Sequence, residues 1–144
     1  MHYGGLTFLK WLRFRGSQFK DFPTDYEVCH QDLSSNFALK IHALLCRPFL
    51  KGRDWSDFNW YIKQSISPNL PHLKHALVQY GPWRGESDLL VDLDWLKATL
   101  QEKIDSINWK EAAADVVRFM KSAEVASLRL WSVRFFSQKL ERLV

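Results

Sequence analysis

From residue 33 to the end of the chain, apolar side chains return at helical spacing, and the rhythm breaks only where prolines, glycines or capping residues stand. In "SSNFALKIHALLCRPF" the residues Phe37, Ile41, Leu44 and Leu45 form one stripe, serines precede it and Pro48 follows it, which predicts a helix over 34–47. "DWSDFNWYIKQSI" repeats the plan with Trp55, Phe58, Tyr61, Ile62 and Ile66 and stops at Ser67-Pro68. "LPHLKHALVQY" starts on a proline suited to a first helical turn and ends before Gly81-Pro82. After the loop "GPWRGESD" at 81–88, three more helices are predicted at 91–104, 109–121 and 124–142, with Asn108 capping the second and its Trp109, Ala113, Val116 and Met120 facing inward.

The first 32 residues read differently. The glycines at 4, 5 and 16 would interrupt a helix, so 6–14 is read as a strand. "TDYEVCHQ" at 24–31 alternates, with Tyr26, Val28 and His30 on one side of a second short strand. The expected fold is mainly α: a bundle-like domain of five to six helices over 33–144 behind a short β-containing segment at 1–32. No repeat of 20–50 residues is visible, which excludes a solenoid.

A length of 144 residues suits one domain, and seven Trp and ten Phe predict a core or interface built from large rings. No apolar run is long enough to span a membrane and no signal pattern opens the chain, so the protein is expected to be cytoplasmic. Cys29 and Cys46 are then expected to be reduced, buried thiols. His42 with Cys46, and His72 with His75, have helical spacings that would suit metal ligands, but four scattered residues of this kind arise easily by chance and no metal site is assigned. The net charge of +4 is unevenly placed: 1–53 carries eight Lys/Arg against four Asp/Glu, 54–117 six against ten, and 118–144 six against two. Such alternation suits either phosphate binding at the basic ends or solvated helix faces.

Six charged residues flank the turn between the first two predicted helices. Lys40 and Arg47 lie seven residues apart, within about 20° on a helical wheel, at the rim of the apolar stripe. A lysine there either snorkels, pairs with an acid or reaches a phosphate. In "KGRDWSDF", at 51–58, Asp54 is expected to cap the second helix with Asp57 at its N3 position, an arrangement close to a capping box. On the residues alone, the cap is favoured over catalysis. Gly52 would allow a tight turn, bringing Lys40, Arg47, Lys51, Arg53, Asp54 and Asp57 into a mixed-charge patch suited to a nucleotide and its metal.

"DLSSNFALKIHALLCR" followed by "LKGRDWSDFNWYI" resembles the region shared by nucleotidyltransferases of the AbiEii/AbiGii toxin family, proteins of abortive-infection and toxin–antitoxin systems. "SPNLPHLKHAL", "YGPW" and "AAADVVRFM" resemble that family's C-terminal half, so the likeness spans about 20–144. It implies transfer of a nucleoside monophosphate from a nucleoside triphosphate. It also implies Lys40, Asp54 and Asp57 as active-site residues and Lys40, Arg47, Arg53 and Lys51 as nucleotide-binding residues, with Lys40 and Arg47 on the phosphates. Asp57 would act as base or orient the acceptor hydroxyl, and Asp54 would cap the helix and hold Arg53.

The same resemblance implies a missing part. Family members are about twice as long, and their N-terminal half holds a Gly-Ser turn and a D-x-D or D-x-E pair for Mg²⁺, the ion that clamps attacking and leaving oxygens. Gly16-Ser17 and Asp25-Tyr26-Glu27 imitate that pattern at too short an interval. The chain is therefore expected to be a truncated toxin, inactive alone, with Mg²⁺ and NTP relevant only where a complete site is assembled. The alternative is a non-enzymatic interaction module: a homodimer, or a partner of an antitoxin or of the absent half, through apolar surface that a sheet would otherwise cover. Weak nucleotide or RNA binding is a further expectation, through Arg129, Arg134, Lys139 and Arg142 of the basic last helix.

Overall fold

A computed structural model describes the backbone of residues 25–144 and the side chains of residues 33–144 other than Ala123. The described residues form seven α-helices and no strand: α1 (Asp25–Cys46), α2 (Gly52–Lys63), α3 (Leu70–Gln79), α4 (Leu93–Ser106), α5 (Trp109–Val116) with a 3₁₀ turn at Val117–Phe119, α6 (Ser122–Leu128) and α7 (Val133–Glu141). The predicted strand at 6–14 lies outside the described residues. The predicted strand at 24–31 is corrected, because those residues from Asp25 onward are the first turns of α1. Helix extension is cooperative, and a stretch as short as this alternation is absorbed by the long helix behind it.

Four helix starts are closed by side chains. Asn69 accepts from His72 N–H, Asp92 from Trp95 N–H, Asn108 from Lys110 and Glu111 N–H, and Ser132 from Phe135 N–H. Ser34 and Ser35, expected as caps, instead sit inside α1 and tie it to the loop before α3. The Ser34 hydroxyl donates to the Ser67 carbonyl at 2.6 Å, and the Asn69 amide donates to the Ser35 hydroxyl at 3.3 Å.

The predicted helix at 124–142 is two helices. Leu128, Trp131, Phe136, Leu140 and Leu143 are all buried. On one straight helix Trp131 and Phe136 would point about 140° apart, so the chain turns between them and Ser132 caps a new start. Five residues separating two core aromatics carry that break.

α2 ends earlier than its apolar pattern suggests. The Ser65 and Ile66 N–H groups donate to the Ile62 and Tyr61 carbonyls, and Ser65 has a φ of 57°. This is a Schellman ending with serine where glycine is normally found. Ser65→Gly is expected to raise stability by about 1 kcal/mol by removing the Cβ penalty of the left-handed conformation, measurable as a shifted urea midpoint at unchanged slope.

α1 packs on α2 and α3, α2 packs on α5, and α4 packs on α7. At the meeting point of α2, α5 and α7, Trp55 lies edge-on to Trp109 at 5.1 Å and to Phe136 at 5.4 Å, while Trp109 stacks on Phe136 at 4.2 Å. The expected aromatic core is therefore present and joins the helix carrying the two aspartates to the C-terminal part of the chain. Gly52 permits the close approach of α2 to α5. A Cβ there would run into the Ala112 carbonyl oxygen and come within 2.8 Å of Val116 Cγ1. Gly81, at a φ of +102°, lets the loop after α3 lie against Cys46, whose Sγ would be 2.6 Å from an added Cβ.

Candidate functional site: a buried charge network between α1 and α2

α1 and α2 run antiparallel, as three contacts in opposite order along the two helices require: Arg47 with Asp54, Lys40 with Asp57, and Phe37 stacked on Tyr61 at 4.6 Å. The stripe positions of both helices face each other along this seam. Asp54 stands four and seven residues before Phe58 and Tyr61, an apolar register, and Lys40 borders Phe37, Ile41 and Leu44. Both charged residues are consequently inside the protein, Lys40 at 4% and Asp54 at 2% exposure.

Burial of charge is costly unless the charges meet, and here they do. Lys40 Nζ donates to Asp54 Oδ1 at 3.2 Å and forms an ion pair with Asp57 Oδ2 at 2.9 Å. Arg47 Nη1 lies 3.2 Å from Asp54 Oδ2, so each Asp54 oxygen has its own cation. Two lysine and arginine charges balance two aspartates. Burial pushes the Asp54 carboxyl above the usual carboxylate range, and Lys40 and Arg47 pull against it. Asp57 is the open end of the network, with 30% of its side chain exposed. Burial and the nearby Asp57 raise the Tyr61 hydroxyl above its ordinary value.

The predicted cap is corrected. The N-cap of α2 is Lys51, without a side-chain cap, and Asp54 stands in the first turn with its carboxylate turned to α1. The carboxylate at the helix start comes from α5: Gly52 N–H donates to Asp115 Oδ2 at 2.9 Å. Arg53 does not join the network. It is exposed, and its guanidinium lies 5.5 Å from the Phe119 ring centre. Lys51 lines a cleft that Arg47 and Asp54 also line and Lys40 does not.

The four residues considered for a metal do not gather. His42 and Cys46 both face the Tyr80 carbonyl, at 3.2 and 3.8 Å, whereas His75 pairs with Gln79 at 2.9 Å. Cys46 is half-buried rather than buried, and desolvation pushes its thiol up to about 11. Burial also lowers the His42 pKa, against the hydrogen bond to Tyr80. The Asp25–Glu27 imitation of a metal pair falls on helical backbone, where the pattern calls for a strand.

Sequence reading missed Asp115, Phe49, Lys103 and Glu111 at this junction, and named only as a helix cap Asn108. The last four line the cleft beside Arg47, and three of them stand more than fifty positions along the chain from it, beyond any local pattern.

The fold and site define a helical domain whose first seam holds a buried lysine–aspartate–arginine network. The family described as "Nucleotidyl transferase AbiEii toxin, Type IV TA system" matches residues 13–139, and the chain belongs to that family. No curated protein and no solved structure matches it. Membership places the chain in a toxin–antitoxin family, for which an antitoxin is the corresponding kind of partner. Among the described residues no helix is long and apolar enough to cross a membrane.

Proposed function

We propose that the chain supplies the helical side of a nucleotidyl transfer site in a type IV toxin–antitoxin system, moving a nucleoside monophosphate from an NTP to an acceptor hydroxyl. The observation that supports this reading is the Lys40 ammonium held between Asp54 and Asp57 while Arg47 fixes the other oxygen of Asp54. In the reaction the acceptor oxygen bonds to the α-phosphorus, its proton passes to a carboxylate, and pyrophosphate leaves. Asp57 is the carboxylate with access to solvent, so it is the candidate base or hydroxyl orienter. Lys40 is buried and acts as a positioning residue that aims Asp57 and Asp54. Arg47 reaches the cleft and is the candidate phosphate contact, with Lys51 beside it.

The described residues do not fit Mg²⁺. The place a divalent ion would take between Asp54 and Asp57 is held by an ammonium at 3.2 and 2.9 Å, and among the described residues no cluster of three His, Cys, Asp or Glu could hold a metal. Carboxylates for the ion would have to come from outside these residues or from another chain. Transfer assays with the four α-³²P-labelled NTPs test the reading. The purified chain alone is expected to label nothing. Addition of a metal-binding N-terminal half of an AbiEii-family toxin should give a labelled product, which Lys40→Ala abolishes. Labelling that survives Lys40→Ala and Asp57→Asn would contradict it.

The same network supports a second reading. Its four charges cancel within the protein, which suits a non-enzymatic module that dimerises or binds an antitoxin. Absence of transfer in every combination, with a stable homodimer or antitoxin complex by light scattering, would favour that reading.

A further inference from the structure

Phe119, in the 3₁₀ turn after α5, is 59% exposed, and two guanidiniums lie against its ring: Arg118 at 4.9 Å and Arg53, from the start of α2, at 5.5 Å from the ring centre. Among the described residues neither arginine is in an ion pair. The acids nearest them in sequence are engaged elsewhere, Asp54 with Lys40 and Arg47, and Asp115 with the Gly52 N–H group. Both guanidiniums therefore keep donors for carboxylates from outside. Val117, 43% exposed, extends the apolar part of this surface, and a ring beside arginines is the composition that dominates protein interfaces.

The α3–α4 loop carries the opposite chemistry. Leu90 is 73% exposed and stands between Asp88 and Asp92, which are exposed as well. Residues 84–92 hold Glu86, Asp88 and Asp92 against one cation, Arg84, so the loop is an apolar point among acids. Asp92 uses Oδ1 to accept from Trp95 N–H and has its second oxygen left. No ion pair joins this loop to Arg53 or Arg118 within the chain. Both surfaces nevertheless depart from one end of α1: Gly81, which opens the loop, packs on Cys46, the last residue of α1, and α2 starts six positions after Cys46. A two-fold axis at that end would bring each loop to the other copy's arginines.

We propose that the chain forms a two-fold homodimer through this end, with Leu90 set against the partner's Phe119 and the acids of the loop facing the partner's Arg53 and Arg118. The proposal rests on the homodimer of the second reading above, gives it a face, and holds whether or not transfer occurs. A nucleic acid is a poorer occupant. The guanidiniums already lie over the ring that a base would need, and so small a group of cations makes few phosphate contacts.

Sedimentation equilibrium of the full chain is the test. The wild type should dimerise, more weakly as salt rises. Arg118→Glu and Asp88→Arg should each weaken the dimer about a hundredfold by setting like charges together. An equal mixture of these two variants should dimerise again, because one of its two contacts is then the native pair and the other the reversed pair. Leu90→Ala and Phe119→Ala should each weaken the dimer about tenfold, and circular dichroism confirms that these surface variants are folded. A dimer indifferent to both charge reversals, or a mixture that fails to recover, would overturn this face and leave the homodimer standing on another. A wild-type chain that stays monomeric at every concentration would remove both. Arg118-dependent binding of an antitoxin or of single-stranded RNA to such a monomer would give the face to that partner instead.

Discussion

Lys40→Met is expected to cost about 3–5 kcal/mol of folding free energy, the range for breaking a buried ion pair from one side. Removal of the ammonium leaves Asp54 buried with Arg47 as its remaining partner, and it sets Asp54 and Asp57 against each other with no cation between them. The two carboxylates stand one turn apart on α2, so their repulsion cannot be relieved without moving the helix. Asp57→Asn should cost much less, because that side chain reaches water. Urea unfolding at constant slope measures both variants. A loss below about 1 kcal/mol for Lys40→Met would place the network in the range of surface ion pairs.

Trp55→Ala should be comparably damaging, at about 3–5 kcal/mol, the range for emptying an aromatic site in a core. Trp55 is 2% exposed and meets Phe58, Trp109 and Phe136 with its edge or face. It is next to Asp54 in sequence, about 100° round the helix, and packs α2 against Trp109 of α5 and Phe136 of α7. Its loss would therefore loosen the element that aims both aspartates. Near-ultraviolet circular dichroism should show the aromatic cluster collapsing, and Trp55→Phe should recover most of the stability. An alanine variant with native spectrum and stability would mean that the ring cluster does not anchor α2.

These two residues also mark what could be read from sequence and what could not. The apolar stripes of α1 and α2 placed Phe37, Ile41, Phe58 and Tyr61 inside, and they are buried. Lys40 was legible as an anomaly because it borders such a stripe. Asp54 was assigned to the wrong partner: an acid near a predicted helix start looks like a cap, and local reasoning has no access to a lysine fourteen positions back. Once the helix begins at Gly52, Asp54 falls on the inward face and the capping carboxylate comes from Asp115, sixty-three positions ahead. The α6–α7 break was legible in principle, in the five-residue interval from Trp131 to Phe136, which does not fit one helix face. The early strand at 24–31 rested on alternation too short to outweigh a helix growing from the other side. The cleft could not be read, since Arg47 and Lys103 meet only through the packing of α1 and α4.

Every role given to Asp54, Asp57 and Arg47 depends on Lys40 and Asp54 being energetically one unit. A double-mutant cycle with Lys40→Met, Asp54→Asn and the combined variant measures this in a single set of urea unfolding curves. The account predicts that the combined variant is at least as stable as either single variant, with a coupling of about 2 kcal/mol or more, because the second substitution removes the charge that the first left stranded. Additive losses, with coupling within about 0.5 kcal/mol of zero, would show the two residues to be independent and would contradict the network.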